Sequence, residues 1–218
     1  MKPGAYAAIV QAICYIFGFA LLMTIMNPGN TEGWSQLQKL DFILEREHIF
    51  QLWNFVIYVV FGVALVVLAV VLHRLLNSNN SLWMMIATPF GLIWAGLVIA
   101  SGMIASIGLE AVSDLHPANP EAATQLWTTV GVLQNGLGGG VELVGGVWIF
   151  LISIWSLRSK RLLPTVLNWL GMLAGIAGIL TVVPGLSALG AVFGLIQIIW
   201  FLWIGVVLLK SEQAQTRQ

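Results

Sequence analysis

Apolar residues fall into six long blocks along this chain, separated by short polar stretches. The blocks cover residues 5–26, 50–72, 82–109, 127–157, 163–183 and 186–209. A helix needs about 20 predominantly apolar residues to cross the hydrocarbon core of a bilayer. Within that core the backbone must satisfy its own polar groups, which favours helices. The pattern therefore predicts an all-α polytopic membrane protein, a six-transmembrane-helix bundle forming a single membrane domain over residues 1–218. The fourth block is long enough to tilt or to extend past the headgroups. Pro89 removes a backbone donor from the third and predicts a bend. Only Pro184 and Gly185 separate the last two blocks, which predicts a tight antiparallel hairpin.

The first block follows Met1-Lys2, as a secretory signal would, but it exceeds the roughly 7–15 apolar residues of a signal core. It ends in Asn27-Pro28-Gly29 rather than in a small-x-small cleavage site, so it is expected to be a retained span. The polar stretches are not uniform. Residues 27–49 carry Trp34, Leu37, Leu40 and Leu44 at helical spacing, with Gln38, Asp41 and Glu45 between them. That suits an amphipathic helix on the outer surface or an extension of the second span. Residues 110–126 contain Pro117 and Pro120 and read as an ordered turn leading into the fourth span.

Composition strengthens the membrane reading. Hydrophobic residues make up 59% of the 218 and charged residues only 8%, with a mean hydropathy of +0.93. A soluble domain is nearer a quarter charged. The net charge is zero and the cations are few, which argues against a nucleic-acid partner. The single cysteine, Cys14, excludes an intrachain disulfide and a thiolate metal cluster.

Charge placement sets the expected orientation. With the N-terminus inside, Lys2, Arg74, Arg158, Lys160, Arg161, Lys210 and Arg217 all fall on the cytoplasmic side, leaving only Lys39 and Arg46 outside. Such a bias over short loops is the positive-inside signature. Both termini are then cytoplasmic, which requires an even number of spans. Trp34, Trp53, Trp83, Trp127 and Trp169 lie near span ends, where an amphipathic ring prefers the interface.

Glycine is frequent, 23 residues, and falls inside the spans. Gly136/Gly140, Gly171/Gly175 and Gly190/Gly194 each form a small-x-x-x-small pair. Such pairs let helix backbones approach closely in lipid. The same faces could pack against a second copy or another membrane protein, or line a path for a ligand.

The candidate chemistry centres on VLQNGLGGGVELVGGVW, residues 132–148. On a continuous helix Asn135, Gly138, Glu142 and Gly145 share one face. Glu142 is the only acid inside any span, and a charge there costs roughly 2.5–3.5 kcal/mol on insertion scales. It must face the interior, find a partner or stay protonated. A structural role would pair it with Gln11, Gln197 or a backbone carbonyl. A functional role would set Asn54, Gln134, Asn135 and Glu142 around a small-molecule, lipid or proton site in the outer half of the bundle.

A second cluster, Glu45 and His48 with Glu110, Asp114 and His116, lies on the same expected side of the membrane. Glu45-x-x-His48 has the spacing of helical-bundle metal sites, and oxygen with imidazole ligands suits a divalent metal. Only one such motif is present, however, and acids and histidines at an interface are commonly just solvated. His73 beside Arg74 reads as interfacial, and Arg158, Lys160 and Arg161 as a topology anchor near anionic lipid. The chain contains no G-x-S-x-G, no H-E-x-x-H and no phosphate-binding loop; the GLGGG of the fourth span has no strand before it and no lysine after it.

The last third carries a resemblance. A basic loop ends in Leu163-Pro164, Gly171, Gly175 and Gly178 follow in the fifth span, and Trp200, Trp203 and Gly205 close the sixth. These features resemble a bacterial integral-membrane family catalogued only as a domain of unknown function. The specific part covers roughly the final 90 residues, and the glycine-rich fourth span also fits. The resemblance implies six spans and a bacterial inner membrane, and lends no activity. Three functions follow as expectations: a non-enzymatic bundle that binds or moves a small ligand at Glu142, a metal-dependent membrane enzyme, and a structural or regulatory membrane partner.

Overall fold

The computed structural model describes residues 1–77, 81–139, 141–159 and 162–215, the side chains of 212–215 excepted. Lys160, Arg161, Arg217 and Gly140, each singled out above, lie outside the described residues. Among those described, the chain is helical and contains no strand. Its helices are α1 (Lys2–Met23), α2 (Gln36–Leu44), α3 (Glu47–Asn54), α4 (Phe61–Leu76), α5 (Leu82–Leu115), α6 (Pro120–Gln134), α7 (Leu143–Ser159), α8 (Thr165–Leu180) and α9 (Leu189–Gln215). Two π-helical segments, Phe55–Val60 and Asn135–Gly139, join α3 to α4 and follow α6.

Among the described residues, five helical stretches are long and apolar enough to cross a membrane: Lys2–Met23, Glu47–Leu76, Leu82–Leu115, Pro120–Ser159 and Leu189–Ser211. The sixth apolar helix, α8, has only 16 residues and is about 24 Å long at 1.5 Å per residue. The surface of these helices is itself apolar. Ile13, Val63, Ile93, Ile107, Val166 and Leu195 are each more than half exposed. An outward apolar belt of this kind suits lipid rather than water.

Six helices close into a ring in chain order. α1 packs on α4, α4 on α5, α5 on α7, α7 on α8, α8 on α9, and α9 returns to α1. Glycine contacts fix the directions. A Cβ on Gly194 would meet Tyr15 and Phe19, whereas one on Gly205 would meet Ile9 and Ala5, so α1 and α9 are antiparallel. Gly171 faces Ser153, Gly175 faces Phe150 and Gly146, and Gly178 faces the Glu142 carbonyl, so α7 and α8 are antiparallel as well. Gly171 and Gly175 therefore serve helix packing. The connection between α8 and α9 is not the two-residue hairpin expected. Residues 181–188 form it, with Gly185 at φ +87°, a conformation open to glycine.

The centre of the ring is aromatic. Trp94, Trp148 and Trp200 are almost fully buried, and ring contacts run from Phe61 to Trp94 (5.5 Å), Trp94 to Trp148 (5.8 Å) and Trp148 to Trp200 (6.0 Å). Each indole lies against a glycine of the neighbouring helix. A Cβ on Gly91 would lie 2.5 Å from Trp148 Nε1, and one on Gly145 would collide with the Trp94 ring. Gly91-x-x-Trp94 on α5 and Gly145-x-x-Trp148 on α7 thus interlock reciprocally. Gly171 on α8 receives Trp200 in the same way, with 2.6 Å between the added Cβ and Nε1.

The two long polar stretches build a cap at the end of the ring where α1 finishes and α9 begins. Ser35 starts α2 with a capping box, its Oγ accepting from Gln38 N and its own N–H donating to Gln38 Oε1. Leu40 of α2 is buried against Val112 and Ala123, so α2 lies on the protein. The turn expected over residues 110–126 shrinks to four residues, 116–119, because α5 continues to Leu115 and α6 starts at Pro120, where a proline suits the first helical turn.

The interlock predicts a stability contrast. Gly145→Ala should destabilise the fold by roughly 1–3 kcal/mol through overpacking against Trp94. Gly131→Ala, with open space around its added methyl, should leave stability unchanged or raise it. Thermal unfolding in mild detergent measures both, and equal effects would contradict the packing account.

Candidate functional site

The fourth apolar block is a broken helix. α6 ends at Gln134, residues 135–139 form one π-helical turn, and α7 begins at Leu143. Gly138 has φ +120° and ψ 12°, which only glycine adopts easily. Asn135, Gly138, Glu142 and Gly145 therefore do not share a helix face, contrary to the periodicity. The reason is local. Glycine is the poorest helix former after proline, by roughly 1 kcal/mol per residue, and this stretch holds a run of glycines.

Irregular backbone at this depth survives only where its polar groups are satisfied or a cavity is lined. Here both conditions hold. Ser101 Oγ of α5 donates to the Gln134 carbonyl at 3.2 Å. Glu142 N donates to Thr181 Oγ1 at 2.8 Å, and that hydroxyl donates in turn to Gly178 O at 2.6 Å. Thr181, at the end of α8, thereby clips the far side of the break. The Glu142 carbonyl accepts from Gly146 N at 2.8 Å, so Glu142 is the residue from which α7 starts. An acidic side chain is electrostatically favoured at such a helix N-terminus.

Glu142 faces a cavity of about 360 Å³ walled by α1, the π segment after α3, α5, the break and the start of α9. Tyr15, Tyr58 and Trp94 line it with Glu142. The carboxyl lies within electrostatic reach of both phenols and beside the Trp94 indole, whose N–H makes no well-aligned hydrogen bond. Gln11 and Gln197, the expected structural partners, are fully buried with unpartnered amides, so neither pairs with Glu142. Gly190 and Gly194 line the cavity. Their small-x-x-x-small pair makes room for it, in contrast to Gly171 and Gly175.

The other expected ligand residues divide. Asn54 is fully buried, donates to Phe50 O at 3.0 Å and accepts from Gln134 Nε2 at 3.4 Å. Together they tie the π segment of the second apolar stretch to the break in the fourth, behind the cavity wall. Asn135 is exposed and does not line the cavity, so its expected place beside Glu142 is corrected. Tyr15, Tyr58, Trp94 and Thr181 were not anticipated. The one sequence signal for any of them is the repeated Gly-x-x-Trp at 91–94 and 145–148.

The candidate metal ligands are scattered over the cap. Glu45 pairs with Arg46 at 2.9 Å, and His48, Glu110 and Asp114 are exposed. His116 Nε2, just past the end of α5, lies 2.8 Å from Asp41 Oδ1 of α2. Glu47 accepts from Ser113 Oγ at 2.8 Å. Among the described residues no group of three His, Cys, Asp or Glu side chains is placed to hold a metal ion.

An all-helical bundle with several membrane-length apolar helices and an acid at a helix break defines the class, a membrane-embedded helical protein. Residues 5–211 match the family described as a domain of unknown function, DUF4386, and the chain belongs to that family. The match extends well beyond the final 90 residues that carried the resemblance. No curated protein and no solved structure matches the chain.

The Thr181 clip is testable. Thr181→Val leaves the Glu142 N–H without its partner and should cost about 1–3 kcal/mol, whereas Thr181→Ser keeps the hydroxyl and should cost much less. Detergent melting curves separate the two, and a Thr181→Val loss no larger than that of Thr181→Ser would contradict the hydrogen-bond account.

Proposed function

We propose that this is a six-span protein of the bacterial inner membrane, with both termini cytoplasmic, that binds or moves a small molecule or lipid through the cavity at Glu142. The observation that carries the reading is the junction of a broken helix, a lone intramembrane acid and an open cavity. Polar and ionisable groups within membrane helices are expensive and are by default functional. Discontinuous helices at ligand sites are a recurrent device of membrane transporters. Glu142 is the ligand contact, while Asn54 and Gln134 hold the wall behind it. The role is one of binding or translocation rather than catalysis.

The six-span count rests on the alternation of the ring. Consecutive helices run in opposite directions, α8 included, so α1 begins at the end where α9 finishes. The excess of lysine and arginine at that end supports a cytoplasmic location. The cavity then opens in the outer half.

Two measurements follow. In a Cys14→Ser background, Glu32→Cys and Ser187→Cys should react with a membrane-impermeant maleimide on intact cells, and Ser211→Cys only after permeabilisation. External labelling of Ser211→Cys would contradict the six-span topology. For the site, native mass spectrometry of protein in mild detergent should show a retained small molecule or lipid. Gly194→Leu, which fills the cavity beside Tyr15 and Phe19, and Glu142→Gln should both lose it. Retention by both variants would overturn the assignment of the site.

A further inference from the structure

We propose that the cavity at Glu142 takes a monovalent organic cation with an apolar body; this rests on the binding role above and specifies its ligand class. The rings of Tyr15, Phe19, Trp53, Tyr58, Phe61 and Trp94 form much of the wall, and Glu142 is the acidic residue in it. Among the described residues no lysine, arginine or histidine reaches that wall. The face of an aromatic ring carries negative potential and attracts a cation within about 6 Å, tryptophan most strongly. A bound cation would favour the ionised form of the Glu142 carboxyl, which then supplies a countercharge at one end of the same space.

Other ligand classes fit less well. An anion would meet both the carboxylate and the negative ring faces with no cationic side chain to receive it. A divalent metal ion such as calcium takes roughly six to eight oxygen ligands, and the side chains of this wall supply one carboxylate with the hydroxyls of Tyr15, Tyr58 and Ser187. A neutral apolar molecule would make no use of Glu142. A cation whose charge is spread over apolar groups uses every part of the wall: its body against the rings, its charge against the carboxylate.

The cage is also held in shape before any ligand arrives. Tyr15 packs edge-on to Phe61 with centroids 5.3 Å apart, and Phe61 packs edge-on to Trp94 at 5.5 Å. Trp53 Nε1 donates to Gly18 O at 3.1 Å, fixing that indole against α1. Preorganised rings spare the ligand the entropy of ordering them. The volume of about 360 Å³ lies in the range of small-molecule pockets, roughly 300–1,000 Å³. Leu22 and Ser187, both lining it, are exposed, so the cavity has an entrance.

The test titrates purified full-length protein in detergent with methyltriphenylphosphonium and, separately, with triphenylphosphine oxide, a neutral molecule of similar shape. Isothermal titration calorimetry reads both, with protein-free micelles subtracted. The proposal expects the cation to bind at least about tenfold more tightly than the neutral compound. Glu142→Gln should abolish that preference while leaving the neutral affinity within about twofold. Trp53→Leu should weaken the cation more than the neutral compound, which provides a second variant should the first fail to fold. Equal affinities in the wild type, or a cation preference that survives Glu142→Gln, overturn the cation assignment. Binding of the neutral compound alone overturns it but leaves a ligand-binding cavity standing. Binding of neither compound overturns the cation assignment and counts against the binding role as well.

Discussion

The reciprocal seating of two tryptophans on two glycines between α5 and α7 is the contact on which the rest of the arrangement depends. Lipid supplies no hydrophobic drive for helices to associate, so close shape complementarity must provide it. Gly91 and Gly145 each lack the side chain that would push the partner's indole away. The result brings α7 against α5 just beyond the break, with Trp94 buried between Phe61, Trp148 and Phe193. Trp94 also forms part of the cavity wall. Packing and site are therefore not separable here: the ring that locks the two helices is the ring that faces Glu142.

A break in a membrane helix costs backbone hydrogen bonds, and in this chain side chains replace two of them. Ser101 of α5 bonds the Gln134 carbonyl and Thr181 after α8 bonds the Glu142 N–H, while Asn54 of α3 holds the Gln134 side chain. The π-helical turn at Phe55–Val60 sits directly after Asn54, and π-helical turns occur often at functional sites. Two irregular segments on neighbouring stretches, joined through Asn54 and Gln134, leave the space that Gly190 and Gly194 keep open from the α9 side. One carboxyl group in that space gives it a chemical polarity.

Much of the architecture was legible in the sequence, because membrane thickness imposes a length on every apolar block. The six blocks correspond to the six helices of the ring, and Trp34, Leu37, Leu40 and Leu44 mark the position of α2. Glu142 stood out as the lone acid within an apolar run. The break did not, because Asn135, Gly138, Glu142 and Gly145 keep helical spacing even though the helix stops between them. Only the glycine run, weak in helix propensity, hinted at the interruption. The aromatic wall was hidden for a different reason. Tyr15 and Tyr58 come from distant helices, and no periodicity within one helix reports what faces it across a bundle. Asn135 illustrates the converse: good spacing placed it beside Glu142, and the π turn carries it away.

The central claim is that Glu142 is presented to an open cavity by a broken fourth helix, and amide hydrogen exchange followed by mass spectrometry tests it most directly. Peptides covering residues 135–142 should exchange much faster than those from the body of α7, since an interrupted segment beside a cavity protects its amides poorly. Protection as strong across 135–142 as within α7 would mean that the helix is continuous, and the account of the site would be wrong.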